Sequence, residues 1–243
     1  MRLLCTFLLL ACAFSTAWGG APRIIFIAGE YEYLSKETLP PYARELGRRY
    51  VAETSVLERP EDPKQQTIPG LEALQTADLV VLLVRRMTLP EKELNEIKAY
   101  IKSGRPLVAL RTSSHAFENW KEFDAQVLGG NYRGHHGNRL KTTVTIVPEA
   151  RNHPILKGVT SFVSDGSLYR TSPLHSNATP LLMGTVEGHP PEPLAWTREE
   201  KGARVFYTSL GHPHDFKEES FLNLLHNGIE WALGKPLEAR EKK

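Results

Sequence analysis

Cysteine is nearly missing from this chain: Cys5 and Cys12 are the only two, and both stand in its first twelve residues. That opening stretch places Arg2 before an apolar run from Leu3 to Phe14 and small residues around Ala17 to Gly19, the layout of a secretory signal peptide cleaved after Gly19. The apolar run is shorter than the roughly 20 residues a membrane-spanning helix needs, so a retained anchor fits less well. Leu9-Leu-Ala-Cys12 resembles a lipidation site, but very little apolar sequence precedes it. Residues 20–243 are therefore expected to form one exported domain, periplasmic or secreted, without cysteine. A structural disulfide, a thiolate metal site and a cysteine nucleophile are all excluded for it.

Other absences narrow the function further. No second apolar run could span a bilayer, so stable membrane insertion is not expected. Thirty basic residues against 28 acidic ones give a net charge of +2, with the signs interspersed, which is not the footprint of a nucleic-acid binder. No glycine-rich loop follows a strand in the manner that cradles phosphates, so no nucleotide cofactor is expected. A Gly-x-Ser-x-Gly elbow is also missing, and Ser113 and Ser114 serve as readily to cap a helix as to attack a substrate. A metal-free hydrolase using one of them with His212 stays as an alternative. The sequence is compatible with a homo-oligomer and does not specify one.

What is present reads as α/β. Arg23 to Ala28, Leu79 to Val84 and Pro106 to Leu110 are buried-strand runs, and Val51 to Leu57 is a further strand. Thr38 to Tyr50 and Pro90 to Ile101 are helical, the second with Leu94, Ile97, Tyr100 and Ile101 on one face. That alternation predicts a mainly parallel sheet covered on both faces. The second half offers shorter strands at 142–147, 168–171, 181–186, 194–197 and 204–210, then a helix over 218–233. In such sheets, ligands bind beyond the carboxyl ends of the strands.

Chemically equipped residues collect at those predicted ends. All nine histidines follow the signal segment. His135 and His136 sit in Gly129-Gly-Asn-Tyr-Arg-Gly-His-His-Gly-Asn138, a loop by its glycine content; His115 follows one strand, and His212 and His214 follow another. Neutral imidazole suits zinc and similar divalent metals, so His115, His135, His136 and His214 are candidate ligands. Glu30, Asp215 and His212 are candidates for moving protons. Arg86, Arg111, Tyr132 and Arg133 are candidates for holding a polyhydroxylated or anionic ligand, Tyr132 or Trp120 by stacking on a sugar face.

Several segments in order, "LGGNYRGHHGN" at 128–138, "NHPILKGV" at 152–159, "LYRTSPL" at 168–174, "PLAWTREEKGARVFYTSLGHPHDF" at 193–216 and "LLHNGIEWALG" at 224–234, resemble the ThuA-like, or trehalose-utilisation-like, family over nearly the whole mature chain. The resemblance implies a flavodoxin-like, three-layer fold of the class I glutamine amidotransferase type. Arg111 stands where those amidotransferases carry their cysteine, while His212-Pro213-His214 partly resembles their His-Pro-Glu segment, so amidotransferase chemistry is excluded. The family implies disaccharide or keto-glycoside catabolism, and a metal at some of His115, His135, His136, His212 and His214. The expected activity is that of a metal-assisted hydrolase, lyase or isomerase acting on a carbohydrate; the alternative is a noncatalytic carbohydrate-binding or scaffold domain.

Overall fold

Six consecutive apolar residues, Leu79-Val-Val-Leu-Leu-Val84, form a strand whose every side chain is buried, which is possible only where both sheet faces are covered. This strand, β3 (Leu79–Val84), lies inside a nine-stranded sheet of a computed structural model that describes residues 20–200 and 202–241. The expected signal peptide falls outside the described residues. Around β3 stand β1 (Arg23–Gly29), β2 (Glu53–Glu58), β4 (Leu107–Leu110) and β9 (Ala203–Thr208), in the spatial order β2-β1-β3-β4-β9, all parallel.

Alternate residues of β1 go to opposite cores, as a period of two requires. Ile24, Phe26 and Ala28 pack with α1 (Ser35–Arg49) and α3 (Glu219–Leu233), while Ile25 and Ile27 join the cluster holding α2 (Glu91–Lys102). The parallel half is thus three-layered. Gly228 permits α3 to lie close to the sheet, since a Cβ there would sit 2.4 Å from the Phe206 ring.

The expectation of a mainly parallel sheet needs correction. Beyond β9 follow β8 (Glu192–Glu200), β7 (Ala178–Thr185), β5 (Thr142–Ile146) and β6 (Phe162–Ser164), and every pairing from β9 outward is antiparallel. Chain connectivity explains this. Only residues 201–202 link β8 to β9, and 186–191 link β7 to β8, whereas a parallel crossover takes a dozen residues or more. Residues 168–171 form no strand; Tyr169 instead makes an isolated antiparallel bridge with His135. No helix among the described residues is long and apolar enough to cross a membrane.

Candidate functional site

The carboxyl ends of β1, β3, β4 and β9 meet at one edge, and each turns into a loop bearing charged or aromatic groups. After β1, Glu30 folds inward. Its carboxylate accepts hydrogen bonds from the Tyr33 and Ser35 amides at 2.7 and 2.9 Å, closing the entry to α1. Burial pushes its pKa up, and those two amides pull it partly back. After β3, Arg85 pairs with Glu32 at 2.8 Å and Arg86 with Glu118 at 3.2 Å.

Arg111 follows β4 with φ of +43°, a left-handed turn that swings its side chain under the edge. It is 1% exposed and has no carboxylate partner among the described residues. Nη1 donates to the Ser209 carbonyl at 2.6 Å, and Nη2 donates to the Tyr33 hydroxyl at 3.1 Å and Ser167 Oγ at 3.3 Å. The guanidinium carbon lies 4.1 Å from the Tyr33 ring centre and 4.8 Å from that of Tyr169. Burial alone would favour the neutral form; the tyrosines and Asp215 outweigh it and hold the proton on.

On one side of Arg111 opens a cavity of about 430 Å³, walled by His115, Phe117, Trp120 and Tyr132 with Arg86 and Arg133 at its margin. His115 stacks on Tyr132, ring centres 4.2 Å apart and planes 15° from parallel. Burial, with Arg86, Arg85 and Arg111 nearby, pushes the His115 pKa down to about 3, so the ring is neutral. Beneath lies Asp124, whose Oδ2 accepts the Tyr132 amide at 2.7 Å while Oδ1 has no partner among the described residues. Burial raises its pKa to about 6. Gly130 is required here, because a Cβ would stand 2.5 Å from Oδ1.

On the other side of Arg111, His212, His214 and Asp165 converge, one ligand atom of each within 4.8 Å of the others. His214 Nδ1 and Asp165 Oδ2 are 2.5 Å apart, and Lys141 pairs with the other oxygen at 2.8 Å. Lys141 and then His214 draw the Asp165 pKa down to about 2. Burial lowers that of His212, against the pull of Asp215. Asp215 itself is fully engaged: it accepts from Ser164 Oγ at 2.7 Å and from the Gly211 and His212 amides at 2.9 and 3.0 Å. The Tyr33 ring meets His212 edge-on at 6.0 Å. Tyr33, Arg111 and Tyr169 therefore join the trio to the cavity in one line of ring contacts.

The family model for trehalose utilisation, ThuA, matches residues 25–232. This chain belongs to the ThuA family. The structure of a ThuA-like protein from Bacteroides uniformis superposes with a TM-score of 0.66 at 16% identity, over 87% of this chain and 92% of that one. One from Parabacteroides merdae gives 0.68 at 18% identity, over 92% of each. A β-galactosidase of Rahnella sp. R3 gives 0.58 at 14% identity, over 89% of this chain but 32% of that one. At these identities the likeness establishes the fold. No curated protein matches.

Within this ThuA chain the expected site residues are divided, with Arg111 between the two clusters. His115, Tyr132, Arg86 and Arg133 share the cavity, and His212 and His214 share the trio. His135 and His136 join neither, since the backbone of 133–136 is laddered to 168–170 through Arg133, His136 and Arg170 amides. His135 is turned towards Tyr169, and His136 lies against His189 with ring centres 4.1 Å apart. Glu30 spends its oxygens on backbone amides, and Asp215 spends its own on two backbone amides and the Ser164 hydroxyl. Ser113 likewise donates to the Leu82 carbonyl and accepts from the Val84 amide. Sequence reasoning missed Asp124 and Asp165, which have no motif around them, and Tyr33; Tyr169 entered only as part of "LYRTSPL".

Proposed function

We propose that this ThuA-family protein is exported and acts on a carbohydrate at the carboxyl edge of its sheet, with a divalent metal of the zinc type held by Asp165, His212 and His214. The observation that carries this reading is the pairing, at one edge, of an aromatic-walled cavity of sugar size with a two-imidazole, one-carboxylate cluster. The donor set fits such an ion: two nitrogens and one oxygen, with burial keeping His212 deprotonated as a ligand must be. A bound metal would polarise a carbonyl or activate water.

The chain's own residues supply the rest. Tyr132, backed by His115, offers a flat face to a sugar ring, and Trp120 offers a second. Arg111 holds Tyr33 and Tyr169 in place between the two clusters. Glu30 and Asp215 act by fixing the loops that carry Tyr33 and His212, rather than by moving protons themselves. Their full engagement favours the second reading, a noncatalytic carbohydrate-binding domain, if the metal is not there.

The test uses the mature protein, purified without a histidine tag or chelator, for elemental analysis before and after incubation with zinc, manganese and nickel. Near-stoichiometric metal in the parent, lost in His212→Ala and His214→Ala but kept in His135→Ala/His136→Ala, supports the metal assignment. Metal in neither parent nor variants leaves the binding-domain reading. Trehalose and maltose titrations followed by tryptophan fluorescence test the carbohydrate assignment separately.

A further inference from the structure

Of the three cations that line the cavity beside Tyr132, Arg86 and Lys121 pair with Glu118, and Arg133 makes no ion pair among the described residues. Arg170, on the segment laddered to the 133–136 backbone, likewise makes no ion pair among the described residues. The two acids at the cavity do not balance them. Glu118 is occupied by Arg86 at 3.2 Å and Lys121 at 4.0 Å, and the Asp124 carboxyl lies buried under the loop.

The free cations are also held in position. Arg133 Nη2 donates to the Ser172 carbonyl at 2.6 Å, leaving its other guanidinium hydrogens without a partner among the described residues. Arg170 Nη2 donates to the Arg133 carbonyl, and Gly134 leaves the space it occupies, since a Cβ there would be 3.0 Å from that nitrogen. A guanidinium tethered by one edge presents its remaining donors as a fixed fork, the geometry that suits a carboxylate or phosphate.

Resting on the carbohydrate reading, we propose that this cavity selects a sugar bearing one anionic group, with the ring against Tyr132 and His115 and the anion on Arg133. A carboxylate, as in a sugar acid, and a phosphate share the recognition chemistry. Neutral sugars make the stacking contact alone.

Calorimetric titration of the full mature chain with methyl glucoside, glucuronate, glucose 6-phosphate and inorganic phosphate distinguishes the cases. At low salt, at least one of the two sugar acids should bind about tenfold tighter than methyl glucoside, the worth of one charge-assisted hydrogen bond. That gap should close as salt is raised. Whichever acid binds tighter identifies the anion. Arg133→Gln should abolish the gap, and Arg133→Lys should restore part of it. Methyl glucoside binding as tightly as both acids would overturn the inference and leave the carbohydrate reading standing. Absence of binding by all three sugars, or inorganic phosphate binding as tightly as the sugar acids, would overturn the carbohydrate reading and this inference with it.

Discussion

The two sides of Arg111 solve the same problem, keeping polar groups in a reactive form, by opposite means. On the cavity side the means is burial: His115 is neutral because water is excluded, and Asp124 keeps its proton up to about pH 6 for the same reason. On the trio side the means is pairing: Asp165 is held ionised by Lys141 and His214 at an open surface. A buried arrangement is rigid and selects shape; an exposed, paired one can exchange partners, as metal loading requires. Arg111 is the partition, and its own charge is satisfied by neutral groups of both sides.

The strongest way to break that contrast is to remove the partition. Arg111→Ala leaves the Ser209 carbonyl and Ser167 hydroxyl without their donor and opens a void between two tyrosines, so it should cost on the order of 3 kcal/mol in urea unfolding. A loss below about 1 kcal/mol, within the range of ordinary surface changes, would show that the guanidinium does not join the two sides.

Next in size is a pH test of the buried side. Asp124 is raised in the folded state, so its contribution to stability is full below the ordinary carboxylate range and is lost as pH rises through about 6. The parent should therefore lose on the order of 2 kcal/mol relative to Asp124→Asn between pH 4 and pH 7. His115 has the opposite sign: its folded pKa is depressed, so its contribution is present above its ordinary value and lost as pH falls towards about 3. Relative to His115→Gln, the parent should weaken on acidification. Parallel pH profiles for parent and variants would mean that burial does not set these groups' charge.

Smaller effects sharpen the contrast. Tyr132→Ala should weaken sugar binding by about 1 kcal/mol, the worth of one aromatic stack, and leave metal content unchanged. Lys141→Met removes an ion pair whose lysine is 69% exposed, so thermal stability should move by less than about 0.5 kcal/mol. Zinc affinity should rise, because an Asp165 oxygen is released. A fall in zinc affinity would place the ion elsewhere.

The parallel half was legible in the sequence because its strands are continuous apolar runs that need no partner to be recognised. β3 was read to the residue, and α1 begins three residues earlier than its pattern suggested only because Glu30 closes its first turn. The antiparallel half was legible as strands but not as a direction, since short apolar runs carry no record of what they pair with. The six-residue and two-residue links around β8 carried that information. At the site, histidines at strand ends were visible by type and place. Asp124 and Asp165 were not, because what distinguishes them is burial under Gly130 in one case and proximity to His214, 49 residues away, in the other.

The position of β9 bears on how the chain is made. Among the described residues it is the last strand in sequence, yet it sits between β4 and β8 and is the sole link between the two halves of the sheet. During synthesis, residues up to 200 can emerge with both the β4 and the β8 edges still unpaired, and neither half can close until 203–208 arrives. An incomplete chain therefore exposes two hydrogen-bonding edges, the state most open to capture by a chaperone and most prone to association with its own kind. Loss of even the last forty residues would leave two unfinished sheets rather than a shortened protein.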